Sequence, residues 1–392
     1  MGLEQRFFAW RVGAFFGALC LVYGVSVPYL PVYLDASGLT ALEIGVISSA
    51  PLFLRLFLTP GFAIYADQNA CHRGMIIALT CTAAGAIALL AGARGFWPLL
   101  ICVAAFQVAV QSVMPLVEAI ALAGVKRAGH DYGRMRLCGS VTFIVATIVG
   151  AWVVEGQGAA SVVALLAAAT LATLVASFAL PTPQATESRT PVRKLEFKSA
   201  YELAASRPIL MFLLAAGAAQ SAHAVFYAFG VLHWRSNGVP AAWIGTLWSI
   251  GVIAEIILFW YSAAVLRHVR AVDLIAIGAA ASVVRWTAMA FDPPLALLIP
   301  LQILHGLTYG ASHLGAMHFI KDRVPEGQAG TAQALYSTVT AGVGMGLALL
   351  LAGFAYQRLG GLSYLTMTVM ALPALAAALV LRREQLATVG TN

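Results

Sequence analysis

GLTALEIGVISSAPLFLR, residues 38–55, opens on a turn signal, Gly38-Leu39-Thr40, and then runs apolar until it meets one arginine, Arg55. Two hundred residues later GVPAAWIGTLWSIGVIAE, residues 238–255, repeats it. Gly38, Ala41, Ile44, Gly45 and Ser49 return as Gly238, Ala241, Ile244, Gly245 and Ser249. The terminal charge returns with its sign reversed, Arg55 becoming Glu255. A repeat at this spacing means two structural halves. An arginine and a glutamate at matching depth in two apolar helices mean a functional interior, and the pattern predicts a membrane transporter built from two related halves.

Composition sets the solvent. Of 392 residues, 61% are hydrophobic and 10% charged, against the roughly 25% charged that a soluble domain carries. Lipid is therefore the main surroundings, and each crossing needs about 20 apolar residues. The formal charge of +7 does not point to nucleic acid, because the basic residues sit in short clusters between apolar runs, where they set membrane orientation. The five cysteines show no CxxC or Cys/His metal spacing and read as small buried hydrophobes. The first apolar run is too long for the core of a cleaved signal peptide and is followed by many more.

Twelve apolar runs can be counted between residues 9 and 381, and backbone groups in lipid must be satisfied within the segment, so each is expected to be a helix. Eighteen Lys and Arg fall in connections on one side and three on the other, Arg94, Arg235 and Arg358. That asymmetry places both termini in the cytoplasm and requires an even number of spans. The one long polar connection is 181–207, with three prolines followed by mixed charge and a short surface helix expected at 196–205. The expected organisation is an all-α membrane protein of the major facilitator fold: a six-helix bundle over 1–180, a cytoplasmic linker over 181–207, and a second, pseudo-symmetric six-helix bundle over 208–392.

Once the loops are accounted for, four charged groups remain inside apolar runs: Arg55, Glu118, Glu255 and Arg285. Each costs about 2.5 kcal/mol or more at bilayer depth unless it is paired or hydrated, so each should face a cavity or a partner. Two readings fit. The four are structural ion pairs between helices, or arginine holds an anion while a carboxylate takes and releases a proton. His223, His305 and His313 add polar groups to the second half. In QILHGLTYGASHLGAMHFI (302–320), His305 and His313 are two turns apart with Tyr309 between them. They form either a cavity-facing stripe or a set satisfied by neighbouring helices. Gly306, Gly310 and Gly315 permit close packing or a bend. The histidine spacing is not the i, i+4 pair of a zinc helix, so no metal is expected. Tyr23 on the first helix and Tyr227 on the seventh could line a cavity for a flat apolar substrate, or could simply pack.

At these residues the chain resembles the phenylpropionate permease family of the major facilitator superfamily, whose namesake is a 3-phenylpropionate:proton symporter. The resemblance runs nearly full length. It is carried by GLT…IG…R ending at Arg55, PLVEA (115–119), DYGRMRLCGSVTF (131–143), GVIAEIILF (251–259), the pair at 285–286, the 302–320 helix and GTAQALYS (330–337). It implies alternating access and a central site between the first, fourth, seventh and tenth helices. It suggests Arg55, Glu118, Glu255, Arg285 and His305 as family-typical polar positions. Two departures stand out. Cys138 takes a place where the family often has tryptophan. The superfamily's glycine–aspartate–arginine loop is degraded in YADQNACHRG (65–74), which keeps Asp67 and Arg73 without the usual spacing. Gating is then expected to lean on Asp131, Arg134 and Arg136, the two arginines bonding the ends of neighbouring helices when the inner side is closed.

The expected function is proton-coupled uptake of a small organic anion, an aromatic carboxylate such as 3-phenylpropionate, by a monomer in a bacterial inner membrane. The proton gradient supplies the energy and no cofactor is needed. Glu118 is the first candidate proton carrier and Glu255 the second. Arg55, Arg285, His223, His305, His313, Tyr309, Tyr23 and Tyr227 are the candidate substrate-binding set. A carrier for a sugar, nucleoside, siderophore or drug keeps the fold and changes the cargo, and a non-transporting sensor is the remote alternative. No nucleotide-binding glycine loop and no nucleophile with a positioned base can be argued, so neither ATP hydrolysis nor another enzymatic activity is expected.

Overall fold

The computed structural model describes residues 3–128, 130–181, 197–325 and 328–389, and within them the chain is a succession of helices joined by short turns. Residues 182–196, the larger part of the expected linker, lie outside the described residues. The first half holds α1 (Leu3–Ala36), α2 (Ala41–Gln68), α3 (His72–Leu90), α4 (Phe96–Ala128), α5 (Tyr132–Gln157) and α6 (Ser161–Ala179). A short helix, α7 (Phe197–Ala205), precedes the second half. There α8 (Arg207–Ser221) and α9 (Ala224–Ser236) share the seventh span. The eighth holds α10 (Ala241–Trp260), followed by the short α11 (Ser262–His268), and α12 (Ala271–Met289) is the ninth. The tenth is built from α13 (Leu295–Ile303), a π-helical turn (Gly306–Ala311) and α14 (Ser312–Arg323). The eleventh joins α15 (Ala329–Ser337), a second π turn (Thr338–Gly344) and α16 (Met345–Leu359), and α17 (Tyr364–Val389) is the twelfth.

Among the described residues eleven helical stretches are long and apolar enough to cross a membrane, and the last, Ala329–Glu384, has 56 residues. A helix that long would reach roughly 84 Å, more than twice a hydrocarbon core of about 30 Å. It is broken at Gly360–Ser363, where Gly360 takes φ +52°. It therefore makes two crossings, and the described residues make twelve.

The sequence repeat becomes a repeated turn. After α1, the Leu39 amide donates to the Leu34 carbonyl (3.3 Å) with Gly38 at φ +84°. After α9, the Val239 amide donates to the Trp234 carbonyl (2.9 Å) with Gly238 at φ +73°. Both are left-handed helix ends in which a side chain would be strained. The next helix starts differently in the two halves. Thr40 and Glu43 cap α2 reciprocally, the Glu43 amide donating to Thr40 Oγ1 (3.3 Å) and the Thr40 amide to Glu43 Oε2 (2.8 Å). Pro240 stands where Thr40 does.

The chain divides into two compact units, Met1–Arg193 with Pro240–Thr246, and Lys194–Val239 with Leu247–Asn392. In the first, α1 packs along α5, and small residues allow it. Thr142 Oγ1 donates to the Gly17 carbonyl (2.8 Å), and Tyr29 donates to the Thr147 carbonyl and lies over Gly150. In the second, α12 packs on α17 and α14, and α8 on α17. Its two ends are tied by polar contacts. At one end Asp273 receives Arg270 and Arg382 (2.8 Å each). At the other His233 meets Asp292 Oδ1 (2.5 Å) and the Tyr356 hydroxyl (3.3 Å).

Candidate functional site

The polar core of the second unit grows around one residue. Arg285 of α12 is fully buried. Its guanidinium donates to Gln302 Oε1 (2.7 Å), Thr308 Oγ1 (3.0 Å) and His305 Nδ1 (3.1 Å). It lies 4.3 Å from the Trp286 ring centroid and 5.1 Å from that of Phe226. Its Nε–H has no acceptor among the described residues. Among the described residues no carboxylate reaches it, so the ion-pair reading does not hold at Arg285. Hydrogen-bonding oxygens and ring faces support the cation without neutralising it.

Local structure explains how these groups converge. The seventh span breaks between Ser221 and Ala224, which turns His223 inward and fully buries it. There its Nδ1 meets the Gln220 carbonyl (3.1 Å) and its Nε2 meets Thr308 Oγ1 (3.0 Å). The π turn of the tenth span presents Thr308 and Tyr309 at the middle of the same helix, and such turns concentrate at functional sites. Glycines bring α10 against the tenth span. A Cβ on Gly251 would lie 3.3 Å from His305 Cβ, and one on Gly306 would lie 3.0 Å from the Ala254 carbonyl oxygen. That approach sets Glu255 Oε2 at 3.9 Å from His305 Nε2. Aromatic rings close the cluster. Phe226 stacks on Trp248 at 4.8 Å, Tyr227 lies 6.2 Å from Trp248 and 5.7 Å from His223, and Tyr309 stacks on His305 at 5.4 Å. His313, farther along, meets the Tyr336 hydroxyl (2.9 Å).

The first unit holds the remaining candidates. Arg55 donates to Gln111 of α4, and Gln111 donates on to Gln107 (3.5 Å). Tyr23 donates to the Val110 carbonyl (3.3 Å), one residue before Gln111. Glu118 accepts from the Tyr132 hydroxyl (3.3 Å), within electrostatic range of Arg136. Arg136 lies over the Phe16 ring (5.4 Å) and donates to Cys20 Sγ (3.6 Å). Among the described residues of this conformation neither Arg134 nor Arg136 bonds the end of a neighbouring helix. Arg134 stays exposed and pairs with Asp131 in its own first turn (3.3 Å), where Asp131 also caps α5 by accepting from the Arg134 amide (3.1 Å). Arg136 reaches no helix end. Arg73 does, donating to the Phe178 carbonyl near the end of α6 (2.5 Å), while Asp67 pairs with His72 (2.8 Å). The reason is register: α5 begins at Tyr132, so Arg134 lies in its exposed first turn and Arg136, two residues on, turns inward. Sequence reasoning passed over the glutamines, Gln111, Gln302 and Gln220, though a lone amide in an apolar run is itself a polar signal.

Twelve spans in two repeated halves, with charged and aromatic groups converging in the membrane interior, define a secondary transporter of the major facilitator superfamily. The chain belongs to the MFS_1 like family, whose profile matches residues 14–365, and is a transporter, not an enzyme. It is 32% identical over 357 residues to the probable 3-phenylpropionic acid transporter of Escherichia coli (strain K12), covering 90% of this chain and 92% of that one. It is 29% identical over 363 residues to the maltose permease of Geobacillus stearothermophilus, covering 88% and 86%. Among solved structures it is similar to the nucleoside transporter NupG, with TM-scores of 0.83 and 0.81 in two structures at 16% identity, over 96% of this chain and 99% and 98% of those. It is also similar to a bacterial homolog of the human lysosomal transporter Spinster, with TM-score 0.79 at 13% identity over 98% of each chain.

Proposed function

We propose that this chain is a proton-coupled symporter that imports a small aromatic carboxylate, of the size and character of 3-phenylpropionate, across a bacterial inner membrane with both termini in the cytoplasm. One observation carries the reading: Arg285 is fully buried, has only neutral hydrogen-bond partners, and keeps an unused Nε–H. A guanidinium in that state is built to receive a carboxylate side-on, through a charge-assisted fork. Phe226, Tyr227 and Trp248 offer ring faces beside it for the flat body of the substrate. The relative named for 3-phenylpropionic acid supports the same class.

Glu255 is the better placed proton carrier, because His305 links it to the arginine that holds the anion. Glu118, engaged with Tyr132, is the second site, which reverses the order expected from sequence. Within the first unit, Arg55, held by Gln111, is the corresponding cationic candidate. A sugar carrier is the competing reading, since the same rings would stack on a pyranose and a maltose permease is among the relatives.

The test is uptake of labelled 3-phenylpropionate into proteoliposomes with and without an inward proton gradient. Accumulation should follow the gradient. Arg285→Gln should lower it about tenfold or more, the equivalent of about 1.4 kcal/mol of lost binding. Glu255→Gln should abolish gradient-driven accumulation while leaving exchange of labelled for unlabelled substrate. Uptake indifferent to the gradient, or displaced by maltose, would reject the assignment.

A further inference from the structure

Three rings stand in file along the tenth span. His305, Tyr309 and His313 are spaced by four residues, with centroids 5.4 Å and 6.1 Å apart and planes within 19° at each step. In a regular α-helix, four residues overshoot a full turn by about 40°. The π turn over Gly306–Ala311 widens the coil and brings the rings back toward one line. One end of the file is the site described above, where His305 touches Arg285 (3.1 Å) and approaches Glu255 (3.9 Å). At the other end His313 Nδ1 meets the hydroxyl of Tyr336 (2.9 Å), which α15 brings from just beyond the 324–328 connection. Phe259 from α10 faces His313 edge-on (6.4 Å), so the groups that meet this histidine are Tyr309, Tyr336 and an apolar ring.

The two halves agree on the placement. Gln107 and Gln302 each fall nine residues after a proline, Pro98 and Pro293, and Glu118 and His313 each fall eleven residues further on. Each of these two titratable groups bonds a tyrosine of the following span, Glu118 to Tyr132 and His313 to Tyr336. Neither His313 nor Tyr336 is among the hydrogen-bond partners of Arg285, and Tyr336 is not among the candidate substrate-binding residues.

We propose that His313 and Tyr336 are a proton-relay station between Glu255 and the end of the bundle where α14 stops at Arg323 and α15 starts at Ala329. This rests on the proton-coupled reading above. A proton leaving Glu255 passes by His305 and the Tyr309 hydroxyl, with water bridging the ring-to-ring steps. His313 takes it on one ring nitrogen and gives one from the other to the Tyr336 oxygen. The phenol proton then moves on toward that end, and no bond other than O–H and N–H changes.

The experiment compares wild type with His313→Gln and Tyr336→Phe in proteoliposomes, using 3-phenylpropionate as the probe. Two fluxes are read: accumulation driven by an inward proton gradient, and exchange of labelled for unlabelled substrate, which needs no net proton release. Tyr336→Phe keeps the ring that stacks on Phe212 (6.0 Å) and removes only the hydroxyl. The relay predicts that gradient-driven accumulation falls about tenfold or more in both variants while exchange by Tyr336→Phe stays within about twofold of wild type. Unchanged accumulation in either variant, or exchange by Tyr336→Phe falling in parallel, would overturn it with wild-type coupling intact. Wild type failing to accumulate under a gradient would instead remove the symport reading, and the relay with it.

Discussion

Arg285 shows how one side chain can be solvated by its own fold and still lack a counter-ion. The planar fork serves Gln302, Thr308 and His305 together, which a single ammonium on a flexible stem cannot do. Arg285→Lys should therefore keep the charge and still weaken apparent affinity for 3-phenylpropionate about tenfold, read as a raised KM for uptake with the folded yield unchanged. A yield that collapses with the substitution would mark the fork as structural. The charge itself was legible in sequence, because an arginine in an apolar run must face a partner or a cavity. Its partners were not. Gln302 and Thr308 carry no charge and do not stand out in a hydropathy profile, and only the fold shows that both point at one guanidinium.

Helices that look continuous in sequence are interrupted where the site lies. Nothing in AAQSAHAVF (218–226) is a proline or glycine, yet the helix parts at Ala222–His223. The cause is tertiary: His223 exchanges a regular place in the helix for contacts with Thr308 and the Gln220 carbonyl. The tenth span gave more warning, since Gly306, Gly310 and Gly315 mark its thin face. Its close contact with α10 has a testable cost. Gly306→Val would drive a side chain into the Ala254 carbonyl, 3.0 Å from the first carbon added. Overpacking of this kind costs about 1–3 kcal/mol, and here it also separates Glu255 from His305. The variant should melt lower in detergent and lose gradient-driven accumulation more than exchange. A variant with wild-type Tm and wild-type accumulation would show that the helices need not approach so closely.

The complete molecule was the most legible scale, because twelve apolar runs, a duplicated turn and a lopsided distribution of arginine and lysine are properties of the chain as a string. The turns at Gly38 and Gly238 recur with the same backbone handedness despite different capping chemistry, Thr40 in one half and Pro240 in the other. Conformational gating was the least legible, since which arginine reaches a neighbouring helix depends on where α5 begins. Twelve crossings place the two termini on one side of the membrane. Fluorescent-protein and alkaline-phosphatase fusions at each end should both report cytoplasm, and a split result would break the span count.

The buried guanidinium, with no carboxylate in direct contact among the described residues, has a further meaning for thermodynamic linkage. On the proposed roles, the cluster of Arg285 and Glu255 has four states of occupancy. With the carboxylate ionised and no cargo, the charges sum to zero, and with the carboxylate protonated and an anion bound they sum to zero again. A proton alone leaves a net positive charge, and an anion alone a net negative one, each disfavoured in a dry interior by several kcal/mol. The two neutral states are the ones free to change conformation, and the two charged ones are the leaks. Tight coupling then follows from electroneutrality rather than from a mechanical latch, and by reciprocity each ligand raises the affinity for the other by the same factor.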